Sequence, residues 1–191
     1  MSAKSLFSAL VVLVLVACSG PELRQPIEAV STKPPLAFTL AELAVEDTST
    51  LPAQAGFRDR MRSEALVEAT KTFLDDRLST GSGTGWLQVT IDEARVLEQA
   101  LAVEGTAREA ITRTPERVLD ALIRVRLAVM GADGLEQSFV QAEVQRRRPI
   151  LRNTSVMAVD AEANRLIGDL LVQFDDELTA AVQQHLSAYL L

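Results

Sequence analysis

The sequence predicts an α+β fold: a two-layer sandwich of about four strands with two helices on one face, in the order β-α-β-β-β-α. Three observations carry that prediction. Two stretches, near residues 57–78 and 156–190, place their apolar residues on one stripe at helical spacing. Several shorter stretches alternate apolar and polar side chains with a period of two. Between two of these, Ala132-Asp133-Gly134 supplies a hairpin turn. One-sided strands and one-sided helices bury their apolar surfaces by facing each other.

Taken in order, residues 36–45 are apolar and bounded by Pro34-Pro35 and Asp47-Thr48-Ser49. They read as the first strand, with their Ala, Leu and Glu content leaving a helix open. Phe57, Met61, Ala65, Ala69 and Phe73 form an i, i+4 stripe, so a helix runs to about Leu78. The run from Ser79 to Gly85 holds three glycines and reads as a flexible connector. It follows a helix and lacks the lysine of a phosphate-binding loop. Leu87, Val89 and Ile91 alternate as a second strand; residues 93–101 either extend it or form a short helix. Residues 102–115 are irregular by pattern and closed by Pro115. Residues 123–129 and 139–145 alternate and flank the Asp-Gly turn, which makes them a hairpin. From Val156 the i, i+3, i+4 pattern runs to Leu190, long enough to overhang a small sheet.

Ahead of this domain, Lys4 precedes an apolar run over residues 6–17. Positive charge followed by an apolar run is the layout of a secretory signal, and about a dozen residues are too few to span a bilayer. The run ends in Leu15-Val16-Ala17-Cys18, with Ser19 and Gly20 after it. That motif resembles the lipobox of bacterial lipoproteins. The resemblance implies that residues 1–17 are removed and that Cys18 is acylated as the first mature residue. Two or three acyl chains hold a protein stably on a membrane where one does not. In Gram-negative lipoproteins an aspartate after the cysteine retains many products at the inner membrane; Ser19 here implies the outer membrane, periplasmic face. Residues 18–35 carry four prolines and no periodicity, and read as an extended tether. The remainder, 36–191, is of one-domain size.

Composition narrows the function classes. The net charge is −7, and eight aromatic residues in all (six Phe, one Trp, one Tyr) leave little to stack on bases or sugars. A nucleic-acid partner is not expected. Cys18 is the only cysteine, so the fold holds without disulfides. His185 is the only histidine and sits near a helix end, where it reads as solvated. No Gly-x-Ser-x-Gly elbow is present, and the acids Asp75-Asp76 and Asp175-Asp176-Glu177 read as solvated helix faces. The chain is therefore read as non-enzymatic, with no cofactor and no metal site. One basic cluster departs from the acidic balance: Arg146-Arg147-Arg148 with Arg152. It either pairs with helix carboxylates or contacts anionic groups of a partner or lipid headgroups.

The lipobox, tether and small α+β domain together are similar in layout to auxiliary lipoproteins of envelope transport. Those of lipid-transporting ABC systems and the lipopolysaccharide-assembly lipoprotein are the examples. The resemblance implies an accessory or docking role beside an envelope transporter or outer-membrane protein. Binding of a lipid or other apolar ligand between helices and sheet is the alternative.

Overall fold

A mixed sheet carries both helices on one face, and a second, two-stranded sheet closes one end. The computed structural model of the protein describes residues 33–101 and 115–191. The elements run β1 (Leu36–Phe38), β2 (Glu42–Asp47), α1 (Phe57–Arg77), β3 (Leu78–Thr80), β4 (Trp86–Ala100), β5 (Pro115–Met130), β6 (Glu136–Leu151) and α2 (Val156–His185). In space the four-stranded sheet is ordered β2-β4-β5-β6, with β2 parallel to β4 and the rest antiparallel. The small sheet pairs β1 with β3 in parallel. The α+β sandwich with helices on a four-stranded sheet is thus present.

The segment predicted as one first strand is two. Leu36, Phe38 and Leu40 are buried at even positions, whereas Leu43 and Val45 pack on the core at odd ones. A single strand keeps one phase. The chain therefore bends at residues 39–41 and sends its two halves to different sheets. The C-terminus holds the first half in place: the Thr39 amide donates to the Tyr189 carbonyl, and the Leu191 amide to that of Ala37. For this reason α2 stops at His185, five residues short of the predicted end, and Leu190 bridges to Phe38.

Strand β4 settles the open alternative for residues 93–100 in favour of strand. Leu87, Val89 and Ile91 face the core, the register slips between Ile91 and Glu93, and Ala94 and Val96 face it afterwards. One extra residue at the bulge reverses the alternation. Pro115 is the first residue of β5, and residues 102–114, read as irregular, lie outside the described residues. The β5–β6 hairpin is present as predicted. Its turn is a three-residue loop, in which the Gly134 amide reaches the Gly131 carbonyl and Gly134 takes φ 80°.

Helix α1 lies against β4 and α2 against β6 and β5. Phe73 of α1 and Phe174 of α2 meet edge to face with centroids 5.7 Å apart. Beyond the end of β2, the edge of β4 is covered by α1 side chains. The Val96 amide donates to Ser63 Oγ (2.9 Å) and the Glu98 amide to Asp59 Oδ1 (3.1 Å). An edge whose amides are taken up this way is closed to further strand pairing.

Candidate functional site

Ion pairs join the two helices near their starts and again at the end of α1, so they run side by side in the same direction. Near their starts, Arg62 Nη2 lies 2.7 Å from Asp160 and Arg58 Nη1 2.8 Å from the same carboxylate. Arg62 also reaches Glu98 of β4 (2.8 Å), which Arg117 of β5 holds from the other side (2.5 Å). Burial raises the pKa of the Glu98 carboxyl, but hydrogen bonds and charge from Arg62 and Arg117 outweigh it and leave it below the ordinary value. Arg62 is shifted upward: its burial works against the charge, and Glu98 and Asp160 overcome it. A carboxyl whose folded pKa is depressed contributes stability fully above its unfolded pKa and loses it as pH falls through the folded one. Glu98→Gln is therefore expected to flatten the loss of stability below about pH 4.3. Urea midpoints of parent and variant across that range check it; equal acid slopes contradict it.

Near the end of α1, residues 33 and 34 meet the two helices. Arg77, the last residue of α1, is only 2% exposed. Its Nε donates to Asp175 Oδ1 at 2.7 Å, Nη2 to Thr179 Oγ1 at 3.0 Å, and Nη1 to the Pro34 carbonyl. Lys33 lies 2.5 Å from Asp176 and 3.6 Å from Asp175. Lys33 and Pro34 are thus held beside the buried Arg77–Asp175 pair, Pro34 by Arg77 of α1 and Lys33 by the carboxylates of α2. Asp175, read from sequence as solvated, is 5% exposed and forms the centre of that junction. Arg77 and Asp175 sit on different helices, and their types alone carry no sign of partnership. The predicted solvation of His185 agrees with its exposed place at the end of α2.

Of the predicted site residues, Cys18 lies outside the described residues. The four arginines are not brought to one surface. In β6, alternation points Arg146 and Arg148 toward α2 and Arg147 to the opposite face. Arg148 pairs with Glu162 (2.9 Å) and Asp169 (2.6 Å), and Arg146 donates to the Asp169 carbonyl. Arg147 is 3.1 Å from Asp120 Oδ1, and Arg152 3.6 Å from Glu116. Asp120, buried on the face away from the helices, also accepts from Gln145 (2.7 Å) and lies 3.6 Å from Arg95. Each of these charges has a structural partner.

A cavity of about 270 Å³ opens between β2, β4 and α1. Its lining mixes Leu51, Val67 and Ala94 with Asp47, Glu64, Glu68 and Lys71. Burial pushes the Asp47 carboxyl up, but hydrogen bonds from Ser49 and the Lys71 ammonium overcome it and hold it below the ordinary value. Four charged groups in the wall make this a poor seat for an apolar ligand.

No family model matches the chain, and no curated protein does. Among solved structures it is similar to rare lipoprotein B from Shewanella oneidensis, with 13% identity over 75% of this chain and 96% of that one, at a TM-score of 0.43. It is also similar to a minor lipoprotein from Acinetobacter baumannii, at 12% identity, 79% and 96% coverage and a TM-score of 0.41. A third is an uncharacterized lipoprotein B from Nitrosomonas europaea, with 10% identity, 82% and 96% coverage and a TM-score of 0.37.

Proposed function

We propose that the protein is a lipoprotein acylated at Cys18, facing the periplasm from the outer membrane, and that it serves as a non-enzymatic docking or accessory subunit of an envelope transport or assembly system. The observation that carries this reading is the join between motif and fold. A lipobox and a proline-containing tether lead to Lys33 and Pro34, and those two residues are fastened to the buried Arg77–Asp175 pair. A tether fixed at its domain end holds the domain at a defined attachment point. Among the described residues, no helix is long and apolar enough to cross a membrane. The charges that a reaction would need are taken up by neighbours, as at Asp120, Asp175 and Glu98. The charged walls of the cavity beside α1 do not favour the alternative, an apolar ligand.

The test is expression in a Gram-negative host with fractionation and mass analysis of the N-terminal peptide. The parent is expected in the outer-membrane fraction with acyl mass on Cys18. Cys18→Ser is expected to lose all acyl mass and to keep residues 1–17. An unaltered mature start in the Cys18→Ser chain contradicts the lipobox. Affinity recovery of the acylated protein is expected to bring down a transporter or outer-membrane protein; recovery of the protein alone contradicts the accessory role.

A further inference from the structure

Six of the ten large apolar side chains exposed among the described residues stand at one end of the sandwich: Phe57, Met61, Leu101, Leu151, Val156 and Met157. Three facts bring them together. Arg58 and Asp160 join the starts of α1 and α2 at 2.8 Å; the Leu101 amide reaches the Glu116 carbonyl at 2.8 Å; and Pro115 pairs with Leu151. Phe57 is 77% exposed and Met157 69%, which the fold itself does not require of residues at helix starts. An apolar cluster of this kind marks a contact surface.

We propose that this end rests in the surface of the phospholipid bilayer that holds the lipid anchor. The inference depends on the acylation of Cys18 proposed above. The tether length supports it. Along α2, the nineteen residues from Asp175 back to Val156 span about 28 Å. The fifteen residues from Cys18 to Lys33 reach about 50 Å when extended. The chain is therefore long enough for the apolar end to lie on the membrane from which the tether springs. A bilayer needs no matching shape, and tethering raises a weak contact to high effective concentration. Arg58, Arg60 and Arg152 stand beside the cluster with long stems suited to the headgroup level. Arg58 is paired with Asp160 and Arg152 with Glu116, and Arg60 donates to the Ala55 carbonyl, so insertion of apolar side chains makes the main part of the contact.

The acylated full-length protein is reconstituted into phosphatidylethanolamine–phosphatidylglycerol vesicles carrying nitroxide acyl chains. An environment-sensitive fluorophore is placed at Met157→Cys or, as control, at Val172→Cys, a site 62% exposed partway along α2. Lipid quenching is expected at position 157 and not at 172, and Phe57→Ser is expected to weaken the quenched population about tenfold. Equal quenching at both positions in protein shown by mass to be acylated overturns the proposal, as does burial of the 157 label that requires a second protein and brings no lipid quenching. Absence of acyl mass on Cys18 removes the anchoring reading alone. The unacylated full chain with excess vesicles then decides the apolar end by the same comparison of 157 with 172.

Discussion

Arg77→Ala is expected to lower the unfolding free energy by about 3–5 kcal/mol, the cost of removing one partner from a buried charge pair. The loss is that large because the substitution leaves Asp175 as a carboxylate at 5% exposure, with Thr179 and the Pro34 carbonyl deprived of their donor. Lys33, 3.6 Å from Asp175, supplies charge but no planar fork. Arg77→Lys should therefore recover only part of the stability, since a point charge cannot serve three acceptors in different directions at once. The double variant Arg77→Met, Asp175→Leu separates charge from packing. Replacing a buried pair by apolar groups of similar volume is often neutral or better, so the double variant should be far more stable than Arg77→Ala. Urea midpoints check the series. A double variant as unstable as the single one would show that packing, and not the loss of Arg77 from the carboxylate, sets the cost.

That pair also marks where sequence reading ends. Strands β5 and β6 were legible because alternation is a local signal, and Val125, Leu127, Val140 and Ala142 stand on the buried face as their spacing implied. The stripe of α2 was legible for the same reason, but that of α1 was not: its buried face runs through Arg62, Leu66, Thr70, Phe73 and Leu74, and Phe57 and Met61 of the expected stripe are exposed. Arg77 and Asp175 are 98 residues apart, and no local pattern distinguishes a buried acid on a helix from the solvated Asp176 beside it. The β4 bulge concealed eight residues of strand, because one inserted residue turns a continuous alternation into two short ones. The change of phase between Leu40 and Leu43 was present in the sequence, and marks two strands where the apolar content suggests one. Position along a strand also decided the arginines. Consecutive residues in β6 face opposite ways, so Arg146-Arg147-Arg148 could not form one patch once strand β6 was known to extend through them.

Gly85→Ala is expected to cost about 2–5 kcal/mol, combining roughly 1–2 for a side chain in the left-handed region with overpacking of about 1–3. Gly85 has φ 78°, and a Cβ there would stand 2.1 Å from the Met130 carbonyl oxygen at the end of β5. Its own carbonyl accepts from the Ala41 amide at 3.0 Å, so a shift of Gly85 pulls on the bend between β1 and β2. Two residues earlier, a Cβ on Gly83 would fall 1.3 Å from the Thr39 carbonyl oxygen. These contacts correct the reading of residues 79–85 as a flexible connector: the glycines permit close backbone approach, and the Gly81 amide donates to the Phe38 carbonyl. Gly168, inside α2, supplies the control, since nothing lies within 4 Å of a Cβ placed there. Gly168→Ala should raise stability by about 0.5–1 kcal/mol through helix propensity alone. Opposite signs at Gly85 and Gly168 in matched denaturation curves follow if the run is a packed element. A neutral Gly85→Ala would mean that the chain moves aside at that point, and that β1 is held by the C-terminal residues Tyr189 and Leu191 without help from the glycine run.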